Sequence, residues 1–136
     1  ISAVFAEQGA TVITCARRPV EGLPYEFHSC DVRDPDAVAG LIEEIVARHG
    51  RLDVMVCNAA SNPYFGPMAG ISDDQFRKVF ENNVMANHWL ISMVAPSMVE
   101  RKAGSIIVVS SIGGLIEALG LAANGGVVRV SMALVI

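Results

Sequence analysis

The fold of this chain is constrained most tightly by an alternation. Short apolar or β-branched runs stand at 11–16, 25–30, 52–57 and 105–110, and long stretches of helical character separate the second from the third and the third from the fourth. β-Branched and aromatic residues favour the extended backbone, so each run reads as a strand. Asp34 followed by Pro35 has the chemistry of a helix start: a side chain that can cap, then a proline where the missing N–H would have had no partner. Val38, Leu41, Ile42, Ile45 and Val46 then make a stripe of period 3.6 that Gly50 ends. Ser72-Asp73-Asp74-Gln75 has the spacing of a capping box and opens a second helix running to about Lys102, with Gly104 closing it. Strands and helices alternating in this way predict an α/β fold on a parallel sheet. Its strands point their carboxyl ends to one edge, where ligands bind.

Bulk properties exclude several other classes. At 136 residues the chain is one domain's worth of material, and 52% apolar with 18% charged residues is a globular composition. The net charge of −4 gives no electrostatic reason to bind nucleic acid or an anionic membrane. No uninterrupted apolar run approaches the roughly 20 residues that a membrane-spanning helix needs. Cys15, Cys30 and Cys57 each sit late in a strand run, without a C-x-x-C pair, which suggests neither zinc nor a disulfide framework and fits a reduced, cytoplasmic compartment. His28, His49 and His88 lack ligand spacing and read as structural or surface residues, so no metal site is expected. Residues 1–8 read as helix interior, with Ile1, Val4 and Phe5 on one face and Gly9 behind. Neither a cap nor an initiator methionine precedes them, so the sequence is expected to be cut from something longer.

Three segments carry a resemblance. Leu52-Asp53-Val54-Met55-Val56-Cys57-Asn58-Ala59-Ala60 comes first, then Asn82-Asn83-Val84, then Gly104-Ser105-Ile106-Ile107-Val108-Val109-Ser110-Ser111. In order and spacing they resemble the middle of the short-chain dehydrogenase/reductase family. The resemblance implies a Rossmann-like, doubly wound parallel sheet. Residues 1–136 would then be a partial dinucleotide-binding domain, truncated at the amino terminus and expected to be truncated at the carboxyl terminus as well. It also implies reversible hydride transfer between a nicotinamide cofactor and a carbonyl or alcohol. The loop Asn62-Pro63-Tyr64-Phe65-Gly66-Pro67-Met68 resembles members with aromatic-lined pockets, which points to a small or hydrophobic carbonyl or alcohol substrate.

Within that frame, each candidate residue has a chemical reason. Ala16-Arg17-Arg18 follows the first strand, where many dinucleotide folds hold an acid against the ribose 2′-hydroxyl. Alanine removes that acceptor, and the guanidinium of Arg17 suits a 2′-phosphate, so NADP(H) is expected before NAD(H); a pair of solvated loop arginines is the plainer alternative. Asp31 and Val32 match the position where an acidic side chain and the next backbone meet the adenine, although an aspartate there can equally begin a turn. Asn58, Ala59 and Ala60 stand where the family has asparagine, alanine and glycine. The small residues admit the cofactor to the backbone, and the asparagine amide can brace the strand end.

Asn83 matches the family's helix asparagine, expected to disturb the helix and hold a water of the proton relay. Asn82 and Asn87 are candidates beside it, because three poor helix formers in one helix need a reason. Ser111 matches the serine that stabilises charge on the substrate oxygen, with Ser110 as the alternative.

The family's tyrosine and lysine fall at Asn124 and Val128. Asparagine has no titratable proton to give an alkoxide, and valine cannot lower a neighbour's pKa. The chain is therefore expected to be inactive as it stands, with a catalytically silent dinucleotide-binding or interaction protein as the alternative. From Gly125-Gly126 onward local propensity favours a strand, whereas the family implies a helix. The helix that follows Ser72 has apolar residues on more than one face, among them Phe76, Phe80, Trp89 and Met98. By resemblance it pairs across a two-fold axis, so a homodimer or homotetramer is expected. The family's strand order also places a further strand between the runs at 11–16 and 52–57, without which both would present apolar edges.

Overall fold

Two parallel ladders carry the architecture in the computed structural model, which describes residues 1–111. β1 (Ile13–Ala16) pairs with β2 (Glu26–Ser29) from Ile13↔Glu26 to Ala16↔Ser29. β3 (Val54–Cys57) pairs with β4 (Ser105–Val108) from Val54↔Ser105 to Cys57↔Val108. The helices are α1 (Ser2–Glu7), α2 (Pro35–His49), α3 (Asp73–Phe80) and α4 (Ala86–Arg101). The alternation thus produces the expected α/β fold with parallel strands. Among the described residues no ladder joins β1 to β3, so the sheet is in two pieces. The strands are also shorter than their apolar runs, because a ladder extends only as far as both partners remain alongside. Single bonds carry the pairing a step further, from the Cys30 amide to the Ala16 carbonyl (3.1 Å) and from the Val109 amide to the Cys57 carbonyl (2.9 Å).

The helix starts are built as their sequences require. Asp34 Oδ1 accepts from the amides of Asp36 and Ala37, both at 3.1 Å, and Pro35 takes the first helical position of α2. At α3 the Ser72 hydroxyl accepts from the Gln75 amide (3.3 Å), while Gln75 Oε1 accepts from the Ser72 amide (3.0 Å), completing a reciprocal capping box. The helical path that opens there runs to Arg101, but not as one α-helix. A wide, π-type turn over Glu81–Met85 separates α3 from α4. Its end also differs from expectation: Lys102, in the left-handed conformation at φ 54°, is the residue that closes α4. Gly104 serves close packing instead, since a Cβ there would lie 2.5 Å from Met98 Cγ.

The core forms where helices meet each other and the second ladder. Val38 and Ile45 of α2 are buried, as are Val79, Val84, Ala86, Val94 and Met98 along the path from α3 to α4. α4 packs against α2 and against both β3 and β4. Polar staples fix the ends: Arg101 donates to the Leu52 carbonyl at 2.9 Å. Glu26 receives His28 (2.7 Å), Arg48 (2.6 Å) and His49 (3.4 Å), tying the end of α2 to β2. The hydrogen bond from His28 is the foremost cause that holds the Glu26 carboxyl below its usual range. These contacts bear out the reading of His28 and His49 as structural residues.

Candidate functional site

The wide turn is where the sequence's unusual asparagines are put to use. Asn83 is buried, 7% exposed, and its amide faces the backbone of Ser61. Its Oδ1 accepts from the Ser61 amide at 2.8 Å and its Nδ2 donates to the Ser61 carbonyl at 3.0 Å. Only a primary amide offers donor and acceptor side by side in this way, so Asn83 meets Ser61 as a neighbouring strand would. Asn82 Nδ2 adds a bond to the same Oδ1 at 3.3 Å. Asn87, also buried, donates from Nδ2 to the Asn83 main-chain carbonyl at 2.9 Å. A π-type turn departs from regular α-helical bonding, and the Asn87 amide adds a side-chain donor to a carbonyl within it. The three asparagines therefore have three distinct tasks, all directed at holding the loop that follows β3.

That loop begins with the other candidates. Cys57 ends β3 almost fully buried, and burial pushes its thiol up to about 11, which keeps it protonated and inert at neutral pH. Asn58, Ala59 and Ala60 follow on the surface. Because β4 runs parallel to β3, Ser110 and Ser111 leave the ladder at the same end as Asn58 and are exposed there. Asn83, through Ser61, sets the course of the loop from Asn58 to Ser61. The sheet edge thus brings Asn58, Ala59, Ala60 and Ser111 to one end of one ladder.

The β1–β2 ladder presents the second group. Arg17 follows Ala16 directly and is exposed; its carbonyl accepts from Ser29 Oγ at 3.4 Å. One step along the neighbouring strand, Asp31 meets Arg33 in a fork. Oδ1 accepts from both Nε and the main-chain amide of Arg33 at 3.0 Å, and Oδ2 accepts from Nη2 at 2.5 Å. Hydrogen bonding to Arg33 holds the Asp31 carboxyl down to about 2, with the charge of Arg17 adding to it. The Asp31 carboxylate foremost, and Glu81 from the wide turn, hold Arg33 above its ordinary value. Glu81 is thus within electrostatic reach of Arg33, which links this edge to the turn that carries Asn83. Val32 lies half-buried between the two partners of the fork.

The fork has a pH signature. The Asp31 pKa is lower in the folded chain than in the unfolded one, so the pair contributes stability that is fully present above about pH 4 and is lost as pH falls through about 2. Carbon-detected NMR should find the Asp31 carboxyl titrating near 2, and Arg33→Ala should move it up toward about 3.9. An Asp31 midpoint already near 3.9 in the unmodified protein rules out the fork in solution.

Sequence reasoning names Asn87 beside Asn83 but does not identify Arg33 or Ser61 as contributors. Arg33 had a visible signal, an arginine two residues beyond an aspartate at a strand end. Asn87 had its spacing of one helical turn from Asn83. Ser61 had none, since its part is played entirely by its main chain. The positions Asn124 and Val128, and the question of strand or helix after Gly125, lie outside the described residues.

Comparison with known proteins identifies the family and the fold. Residues 1–125 match the short chain dehydrogenase family. Dehydrogenase/reductase SDR family member 4 of Rattus norvegicus is 31% identical over 122 residues, which are 82% of this chain and 44% of the rat protein. L-fucose dehydrogenase of Oryctolagus cuniculus is 31% identical over 126 residues, 88% of this chain and 44% of that protein. Among solved structures, a short-chain dehydrogenase from Streptomyces avermitilis superimposes with a TM-score of 0.89 at 30% identity, over 98% of this chain and 52% of its own. A metagenomic short-chain oxidoreductase in complex with NADP gives 0.86 at 29%, over 98% and 64% respectively. The chain spans about half the length of these relatives. With the family matched through residue 125, and the fold shared over nearly the whole chain, this protein belongs to the short chain dehydrogenase family.

Proposed function

We propose that this chain is the cofactor-holding part of an NADP(H)-dependent oxidoreductase acting between a small carbonyl and its alcohol. The observation that carries the reading is the edge of β1 and β2: Ala16 supplies no acid, Arg17 follows it exposed, and Asp31 stands one step away on the paired strand, already matched by Arg33. The donor set fits an adenine nucleotide with a 2′-phosphate. Arg17 would hold the phosphate, Asp31 would accept from the adenine amino group, and the backbone at Val32 would line the ring. Asn58, Ala59 and Ala60 would let the cofactor approach the end of β3, with Asn83 keeping that loop in place and holding a relay water. When bound, the nicotinamide supplies or takes the hydride. Ser111 would donate a hydrogen bond to the substrate oxygen, where negative charge gathers.

A second reading, a binding protein that keeps the cofactor site without turnover, is favoured by Asn124 and Val128 in place of an acid and its lysine partner. The two readings share the cofactor preference and part on turnover. A cytoplasmic setting is what the unpaired Cys15, Cys30 and Cys57 support. Among the described residues no helix is long and apolar enough to cross a membrane.

Titration of NADP⁺ and NAD⁺ into the full-length protein tests the preference. NADP⁺ should bind more tightly by at least about tenfold, and Arg17→Asp should reverse the order, because the new carboxylate accepts from a ribose hydroxyl and repels a phosphate. Tighter NAD⁺ binding by the unmodified protein would defeat the reading.

A further inference from the structure

We infer that Arg33 is a specificity-determining residue for the adenosine end of the cofactor. By gripping both oxygens of Asp31 it cancels a carboxylate charge beside Arg17, and so lets an anionic ribose phosphate settle there. The inference rests on the NADP(H) reading above and deepens it.

The argument starts from register. Ala16 pairs with Ser29, and the Cys30 amide bonds the Ala16 carbonyl, so Arg17 leaves β1 alongside Cys30 and a single residue short of Asp31. Neighbouring strands lie about 4.8 Å apart, which puts the Asp31 carboxylate close enough for its charge to be felt wherever Arg17 binds a ligand. A bare carboxylate at such an edge favours a neutral ribose hydroxyl and opposes a phosphate, which is why an acid there accompanies NAD. This chain has no acid at the end of β1, but keeps one at the end of β2.

Arg33 resolves that conflict with three hydrogen bonds: its Nε and its own amide to Oδ1 at 3.0 Å, and Nη2 to Oδ2 at 2.5 Å. The fork neutralises the charge and still leaves Oδ2 a lone pair for an exocyclic amino group. Asp31 thereby remains an acceptor for a base without acting as an anion toward a phosphate. Both side chains of the pair are about one-third exposed (35% for Arg33 and 32% for Asp31), so the pair sits at the surface where a ligand can reach it. Glu81, the other carboxylate felt by Arg33, stands off in the wide turn and makes no part of the fork.

The test uses two probes that differ only in the 2′-phosphate, adenosine 2′,5′-bisphosphate and AMP, titrated calorimetrically into the full-length protein. The quantity read is the ratio of their affinities. Arg33→Ala should lower the ratio about tenfold, the scale of one unscreened like charge several ångströms away at a protein edge. Arg33→Gln, which can still bond Asp31 but brings no charge, should lower it comparably. Asp31→Asn combined with Arg33→Ala should restore the ratio to within about threefold of the unmodified protein, because the uncompensated charge is gone.

If the ratio survives Arg33→Ala and Arg33→Gln but is lost in Arg17→Ala, the inference is overturned and the NADP(H) reading stands. If the unmodified protein binds both probes equally, the reading and the inference fall together. Should Arg33→Ala not fold, Arg33→Gln and the double variant decide the matter, and a double variant that stays as low as Arg33→Gln overturns the inference.

Discussion

Replacing Asn124 by tyrosine and Val128 by lysine in the full-length protein is expected to raise NADPH consumption with a generic carbonyl substrate by about 10²–10⁴-fold, the usual worth of general acid help. Hydride arrival at a carbonyl builds an alkoxide that must take up a proton. Ser111, exposed at the end of β4, can donate a hydrogen bond to that oxygen but has no pKa suited to giving up its proton. Asn124 offers a weaker amide hydrogen, and Val128 offers nothing that would draw a neighbouring hydroxyl toward ionisation. Each single replacement should recover less than the pair, because a tyrosine without a cation beside it keeps a pKa near 10. The measurement is the rate of NADPH loss in the unmodified, singly and doubly substituted proteins at equal concentration. Robust turnover by the unmodified protein shows that another acid serves. Unchanged turnover in the double variant shows that these two positions are not where the acid and its partner belong.

What the sequence disclosed, and what it withheld, follows the reach of the interactions. Asp34 with Pro35 and the Ser72–Gln75 box act within a few residues of themselves, and both helix starts are where the sequence puts them. The parallel α/β arrangement was legible as well, because the alternation of periods is a local property summed along the chain. The wide turn over Glu81–Met85 was foreshadowed by three asparagines in one helix, but its geometry depends on Ser61, twenty-two residues away in sequence. Strand ends were overread at 11–12, 52–53 and 109–110 because apolar character marks burial, whereas a ladder requires a partner alongside. Arg33 was passed over for a related reason. A basic residue near a strand end usually faces solvent, and its fork with Asp31 is a contact in space that the residue pattern does not disclose. Arg17, Asp31, Asn58 and Ser111 are candidates by position along the family's pattern. The structure adds which ladder carries each of them.

Produced by itself, the 136-residue chain is expected to be molten or insoluble. A two-stranded ladder is marginal in water even when well formed, and sheets gain independent stability from three strands upward or from a covering helix. Among the described residues the sheet is split into two such ladders, and β1 and β3 each have a ladder partner on one side only. Their unpaired sides offer N–H and C=O groups to any other chain, and on β3 the apolar side chain of Val54 remains accessible. α1 fares no better: it is six residues long, has no side-chain cap, and leaves Val4 61% exposed. Among the described residues, burial is concentrated where α2 and α4 meet and around Val79 and Val84. Burial must offset the ordering of the chain, which costs about 1–2 kcal/mol per residue of backbone. The family's strand order would fill the gap with one more parallel strand, pairing both open edges at once and covering the face that α1 leaves bare. Fusing the strand and glycine-rich turn that the family resemblance implies ahead of Ile1 should therefore turn a chain with collapsed amide dispersion and strong dye binding into one with a cooperative unfolding transition. Amide NMR and thermal melts of the two proteins, side by side, make the comparison. Well-dispersed spectra from the 136-residue chain alone would show that the two ladders support themselves. A fusion that stays molten would show that the gap between β1 and β3 is not a strand's place.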